Sequence, residues 1–317
     1  WNNVTKNITC VPTFTWCSSI EPSPWDKNTV YATFENHTRG DFKPYIIVST
    51  DKGKTWTNLA TADVKGFAHI IRQDIVNKNL LFAGTETGMF ISMDGGKTWI
   101  AYTSKIPATP VRDLKINPKT NDLIIATHGR GIFIIDDLTP LRNLTPNILE
   151  QDAALLTTRP NYLSLGQFGA GFPSAGGYSG RNFTEEAVIY YYLKDKVMTG
   201  DVRVEVYDKN GVLLEKIPGS KRKGINRVTW GMKLKAPKVA KGIRLDFSGF
   251  IGPLATEGEY NIKLIKGDKV TEGKMLLMPL PSNPHSKEDR DLAHTTVMTL
   301  HSMCEELALM NHQVVCA

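Results

Sequence analysis

Ser49-Thr50-Asp51-Lys52-Gly53-Lys54-Thr55-Trp56 has a counterpart 43 residues later, Ser92-Met93-Asp94-Gly95-Gly96-Lys97-Thr98-Trp99. Both copies read S-x-D-x-G-K-T-W. Each follows an apolar, strand-like run, YIIV from Tyr45 to Val48 and MFI from Met89 to Ile91. A unit that repeats with a period in the low forties marks one small antiparallel sheet per repeat, the blade of a β-propeller. The residue types say why a turn forms here. An aspartate accepts hydrogen bonds from the backbone N–H groups just ahead of it. Gly53 and Gly96 supply the positive φ required at the last position of a short hairpin loop. Thr55 and Thr98 are β-branched and are expected to restart a strand. Trp56 and Trp99 are expected to pack beneath the turn or against the next sheet. On this reading Ser49, Asp51, Gly53, Trp56, Ser92, Asp94, Gly96 and Trp99 hold corners together and perform no chemistry.

Working outward, the repeat divides into strands A to D. The first blade reads TWCSSIEPS, TVYATFEN, YIIVST, TWTNLA; the second reads FAHIIRQDI, LLFAGTE, MFISMD, TWIAYT. A third begins VRDLKINP, DLIIATHG, GIFIIDD and then loses the motif. Pro140 cannot donate in a ladder, so pairing is expected to end there, and the blades to stop near Asn143. Trp1-Asn2-Asn3-Val4-Thr5 resembles the stretches that follow Trp56 and Trp99. It suggests a chain that starts in mid-blade, the C-terminal piece of a longer propeller.

These motifs resemble the Asp-box, or BNR repeat, of sialidases, other glycoside hydrolases and sortilin-type propellers. The longer stretches DKNTVYATFENHTRGDFKPYIIVSTDKGKTW, NLLFAGTETGMFISMDGGKTW and NDLIIATHGRGIFIIDDLTPLR look like bacterial sortilin-like proteins with BNR-type repeats. That resemblance is close over Trp16 to Arg142 and looser beyond. It implies an extracytoplasmic setting (periplasmic, outer-surface or secreted). It also implies a propeller followed by a β-sandwich rather than by the cysteine-rich module of vertebrate sortilins, which four scattered cysteines cannot build.

The 317 residues suggest two domains or more. The expected organisation is all-β: propeller blades over 1–143, a Gly-rich connector over 144–186, an immunoglobulin- or fibronectin-like β-sandwich over 187–280, and an amphipathic helix over 286–315. GQFGAGFPSAGGYSGRN within the connector lacks periodicity and is expected to be loop. In the sandwich, Asn210-Gly211 is the strongest hairpin signal, Lys266-Gly267-Asp268 marks a second, and Trp230 is the expected core aromatic. Ser286 with Asp289 imitates a capping box. Leu300, Met303, Leu307, Met310 and Val314 then recur at 3-4-3-4 spacing. That is one apolar seam able to pack on a partner helix over 292–314.

No apolar run approaches the roughly 20 residues of a membrane helix. The net charge of +6 comes from scattered basic residues apart from Lys221-Arg222-Lys223, a solvated turn rather than a nucleic-acid site. Cys10 and Cys17 are close enough in sequence to pair, though free thiols are the default. His294, His301 and Cys304 share a helix face and read as a polar flank of the seam rather than metal ligands. No metal or cofactor is expected.

Topology then sorts the loops. In a four-stranded meander the A–B and C–D turns lie at one end, and the B–C connections lie at the other. The Asp motifs are C–D turns. The opposite rim therefore carries Asn36 to Pro44, Thr85 to Gly88 and Thr127 to Gly131, with His37, Arg39, Asp41, Glu86, His128 and Arg130. Convergent polar residues on one rim are the natural place for a peptide or carbohydrate ligand. A structural role is the alternative for each, with Arg130 tied to Asp41 or Glu86. Asp41 and Glu86 sit on adjacent blades at equivalent ends. A glycosidase needs two carboxylates about 5 to 9.5 Å apart, so that spacing is conceivable. The arginine cluster and tyrosine nucleophile of a sialidase are not found. The reading is a non-catalytic binding or scaffold protein of the sortilin-like BNR-repeat type. The alternative is a BNR-type glycoside hydrolase, sialidase-like or glucanase-like, whose catalytic residues lie largely in further N-terminal blades.

Overall fold

A computed structural model describes residues 2–163, 186–239 and 252–316. The chain divides into two compact units, Trp1–Arg142 and Asn143–Ala317.

In the first unit, β1 (Trp16–Pro22), β2 (Val30–Asn36), β3 (Asp41–Ser49) and β4 (Thr57–Asn58) form a four-stranded antiparallel sheet in chain order. β5 (Ala68–Gln73), β6 (Leu81–Thr85), β7 (Gly88–Ser92) and β8 (Ile100–Tyr102) repeat the pattern. β9 (Val111–Ile116), β10 (Leu123–Thr127) and β11 (Ile132–Ile135) make a third sheet of three strands. No fourth strand follows among the described residues. The chain instead turns into the short helix α1 (Thr139–Arg142), where Pro140 sits in the first turn and its missing N–H costs nothing.

The sheets stack face to face. Successive side chains of a strand point to opposite faces. Ile71 joins Tyr31, Ile46 and Trp99 in a core between the first two sheets. Its neighbour Ile70 joins Phe82, Leu114 and Ile125 between the second and third. A strand covered on both faces reads as a near-continuous apolar run, which accounts for FAHII. Gly84 marks the closest approach. A Cβ there would lie 2.6 Å from the Val111 carbonyl oxygen.

The aspartate, serine and threonine bonds of the two Asp turns match one for one, while the indole N–H of Trp56 donates within its own turn, to the Gly53 carbonyl at 3.2 Å. Asp51 Oδ1 accepts from Lys54 N and Thr55 N, both at 2.9 Å, and Asp94 Oδ1 accepts from Lys97 N and Thr98 N at 3.0 and 2.9 Å. The Ser49 and Ser92 hydroxyls each donate to their aspartate at 2.8 Å and accept from the Gly53 or Gly96 N–H at 2.8 Å. The expectation for the threonines is corrected. Thr55 and Thr98 do not open a strand. Each hydroxyl donates to Oδ2 of the aspartate at 2.6 Å, and β4 and β8 begin only at Thr57 and Ile100.

Trp99 is 3 % exposed in the core between the first two sheets, and its indole N–H reaches the Leu59 carbonyl at 2.9 Å. Trp56 lies on the outer side of the first sheet beside Ile8, Cys10 and Val11. Val4 abuts Gly53 as Leu59 abuts Gly96. The N-terminal segment thus covers the first sheet's corner as the residue after β4 covers the second's. Cys10 and Cys17 are both free.

In the second unit, α2 (Pro146–Glu150) is followed by β12 (Ala153–Leu156), β13 (Asn161–Leu163), β14 (Ala187–Leu193), β15 (Val202–Tyr207), β16 (Leu213–Pro218), β17 (Gly224–Trp230), β18 (Gly258–Lys266), β19 (Lys269–Pro279) and α3 (Lys287–Cys316). The stretch read as a connector therefore contributes a helix and two strands, while its Gly-rich part lies outside the described residues. The sheets run β12-β14-β17 and β13-β19-β18-β15-β16, with β13 and β19 parallel. Both line one core. Ile189, Tyr191 and Trp230 from the smaller sheet meet Val204, Ile262, Leu264 and Met275 from the larger. Trp230 packs on Tyr260 at 5.3 Å between ring centroids. Asp208 caps the Asn210-Gly211 hairpin, accepting from Asn210 N and Val212 N. Ser286 and Asp289 form the expected reciprocal cap, side chain to backbone N–H at 3.1 and 3.0 Å.

Candidate functional site

Because every sheet of the first unit is an antiparallel meander, the β2–β3, β6–β7 and β10–β11 connections lie at the end away from the Asp turns. That end collects polar residues from all three sheets.

His37 and Arg39 bound a 3-10 turn, His37–Arg39, which Gly40 closes at φ 76°. The His37 ring stacks on Phe67 at 4.5 Å and 17°. Its Nδ1 is buried without a hydrogen-bond partner, 3.9 Å from Glu35 Oε1. Arg39 donates to the Thr13 carbonyl at 3.0 Å. Phe42 is 62 % exposed and lies 6.2 Å from Phe67.

Asp41 is taken up internally. Its carboxylate accepts from the Tyr45 hydroxyl at 2.7 Å and from Asn36 Nδ2 at 3.2 Å. The Tyr45 bond holds Asp41 below the ordinary carboxylate range. Burial, with the Asp41 contact added, pushes the Tyr45 phenol up to about 12.

Glu86 is also engaged. Its Oε2 lies 2.9 Å from His69 Nε2. His69 is buried, and its other ring nitrogen faces Glu35 Oε2 at 3.0 Å and Arg112 Nη1 at 3.2 Å. One ring nitrogen cannot donate to a carboxylate and accept from a guanidinium at once. The two contacts therefore need different placements of the proton on the ring. Glu35 comes from the first sheet, His69 and Glu86 from the second, and Arg112, whose Nη2 also lies 3.7 Å from Glu86 Oε2, from the third, so these contacts tie three sheets together at the rim.

His128 and Arg130 stand apart from it. Gly129 and Gly131 both adopt positive φ, 84° and 77°, which tightens the β10–β11 turn and leaves both side chains exposed. The expected tie from Arg130 to Asp41 or Glu86 is not formed, since both carboxylates have other partners. Among the described residues no group of three or more His, Cys, Asp or Glu side chains is arranged to hold a metal ion.

The residues missed in the sequence are His69, Glu35 and Arg112. His69 lies inside FAHII, where a strand buried on both faces hides a polar residue among apolar ones. The available signal is a histidine one residue into a strand, beside the rim connections.

Stacked antiparallel sheets with a carboxylate-bound turn at equivalent corners define a propeller-type repeat unit. Residues 45–139 match the Sortilin-Vps10 family model, described as sortilin, neurotensin receptor 3. A comparison with curated proteins gives no match. Among solved structures the chain is similar to YCF48 bound to D1 peptide, at 18 % identity and TM-score 0.29 over 38 % of this chain and 37 % of that one. It is also similar to a Niastella koreensis GH74 enzyme, at 13 % identity and TM-score 0.33 over 82 % of this chain and 38 % of that one. A third likeness is the extracellular domain of a putative hybrid two-component system from B. thetaiotaomicron, at 11 % identity and TM-score 0.28 over 83 % and 30 %. The chain thus spans well under half of each of these proteins. Likeness at this level transfers no residue role.

Proposed function

We propose that the first unit is a non-catalytic binding module of sortilin-like type, taking a peptide or carbohydrate with acidic groups on the rim of the β2–β3, β6–β7 and β10–β11 connections. One observation carries this. The rim's carboxylates, Asp41 and Glu86, are consumed by neighbours within the fold, while Arg130, His128 and Phe42 stay open to solvent. A ligand meeting this rim meets the free Arg130 guanidinium, the His128 ring and an aromatic face. The same observation weighs against glycoside hydrolysis by these residues. A general acid needs a raised carboxyl pKa, and Asp41 is shifted the other way by Tyr45. The second unit, read as an immunoglobulin- or fibronectin-like sandwich, serves attachment or assembly. The working location is extracytoplasmic, in keeping with the family-model match. Among the described residues no helix is long and apolar enough to cross a membrane.

The test is a screen of acidic peptides and acidic glycans by calorimetry, run beside fluorogenic glycosides. Binding that falls about tenfold or more when Arg130 becomes alanine supports the proposal, a lost charge-assisted contact being worth about 1.5–3 kcal/mol. Glycoside turnover abolished by Asp41→Asn or Glu86→Gln would sink it.

A further inference from the structure

The helix α3 is mounted with its apolar side outward. Arg290 reaches the Glu257 carboxylate through Nη2 and Nε at 2.7 and 3.0 Å. His301 Nε2 lies 3.1 Å from the Lys235 carbonyl, and Glu305 accepts from the Lys238 N–H at 3.3 Å. At 3.6 residues per turn these contacts mark one side of the helix, and the seam of Leu300, Met303, Leu307, Met310 and Val314 lies roughly on the other. Those five side chains are 52–77 % exposed, and Leu292, about two turns before Leu300 on the same stripe, is 68 % exposed. Together they place on the order of 700 Å² of apolar side chain in water, near the ~800 Å² per partner of a standard interface. A soluble unit rarely leaves a contiguous apolar patch of that size uncovered.

We infer that this seam pairs two copies of the chain as a parallel two-helix coiled coil. The occupant must present an apolar stripe of the same period, and a second copy does so with no polar layer from Leu300 to Val314. The number of apolar layers decides the orientation, five in the parallel pair and four in either antiparallel one. In an in-register parallel pair, flanking positions five residues apart face each other across the seam. Thr299 then meets Cys304, and Glu306 meets Asn311, with no like charges opposed. Each antiparallel overlap loses a layer: Leu300 over Met310 leaves Val314 against Thr296 and sets Glu306 against Glu306, and Met303 over Val314 leaves Leu300 outside the pair. Because the seam points away from the body that α3 rests on, two bodies can sit on opposite sides of the pair. Two heptads make a modest interface, so the dimer is reversible, with Kd on the order of 10–100 μM.

Sedimentation of the whole chain from about 5 to 300 μM tests this, a range that brackets that constant. A monomer–dimer equilibrium is expected. Leu307→Glu, which alters a side chain already in water and so spares the fold, is expected to weaken it at least ~100-fold by burying an unpaired charge. Ser302→Glu, off the seam, is expected to leave it unchanged, with circular dichroism reporting helix content for both. Orientation is read from Leu307→Cys with the four native cysteines replaced by serine. Oxidation is expected to give a 307–307 disulfide dimer, and Ser302→Cys in that background none. A monomer throughout the range, a Leu307→Glu variant that dimerises like the parent, or a Leu307→Cys variant that does not cross-link would overturn the inference.

Discussion

Replacing Arg142 with alanine is expected to destabilise the first unit by about 3 kcal/mol. The Arg142 side chain is 6 % exposed and that of Asp74 is fully buried. The guanidinium grips the carboxylate in a fork, Nη2 to Oδ1 at 2.8 Å and Nε to Oδ2 at 3.0 Å, and its Nη1 donates to Asn121 Oδ1 at 2.6 Å. Removing one partner of a buried pair costs about 3–5 kcal/mol, because the other charge stays buried and uncompensated. The lower end applies. Asp74 Oδ2 still accepts from Val76 N and Asn77 N at 2.9 and 2.7 Å, which leaves part of its solvation in place. For a domain of this size, ~3 kcal/mol corresponds to roughly 10 °C in Tm. Urea unfolding followed by tryptophan fluorescence is the assay. Trp25 donates its indole N–H to the Asp74 carbonyl at 2.8 Å, so one reporter sits on the pair itself. The double replacement Asp74→Asn with Arg142→Met is expected to be less damaging than Arg142→Ala, since it strands no charge. A loss below about 1 kcal/mol for Arg142→Ala would place the pair among exposed salt bridges and refute the reasoning.

Three further outcomes follow from the first unit. Gly84→Ala is expected to cost about 1–3 kcal/mol, because its Cβ would meet the Val111 backbone at 2.6 Å; thermal unfolding checks it. The hydrogen bonds from Thr55, first through its hydroxyl and then its N–H, draw the Asp51 carboxyl down to about 2. A depressed folded value means that the turn's contribution is present above the unfolded carboxyl's ~3.9 and is lost as pH falls toward 2. An NMR titration of that carboxyl with a midpoint near 4 would contradict it. Tyr45, raised to about 12, carries the opposite sign. Its contribution is complete below the free phenol's ~10 and is lost as pH rises toward 12. Ultraviolet titration of folded parent and Tyr45→Phe should show the same number of tyrosines ionising near pH 10, since the group removed is one that ionises near 12, and Tyr45→Phe should move the Asp41 carboxyl upward.

The repeated corner was legible because its signals are local. An aspartate, a glycine of positive φ and a tryptophan at fixed spacing specify a turn without reference to distant residues, and so do Asn210-Gly211 and the Ser286–Asp289 cap. The threonine role was misread because hydrogen-bonding capacity beat β-propensity once an aspartate lay four residues back. The strands β12 and β13 were obscured by their place in a stretch whose centre is Gly-rich. At the rim, topology placed the B–C connections at one end, and the sequence named the residues on them. It did not reveal His69. That residue's partners Glu35, Glu86 and Arg112 arrive from three sheets, and no pattern within one strand encodes such a meeting.

The most direct test of a rim that binds at the end away from the Asp turns is amide hydrogen exchange with and without the tightest acidic ligand from the screen. Protection is expected at residues 37–43, 85–88 and 127–131, with exchange at 51–55 and 94–98 unchanged. Protection at the Asp turns with none at the three rim connections would contradict it.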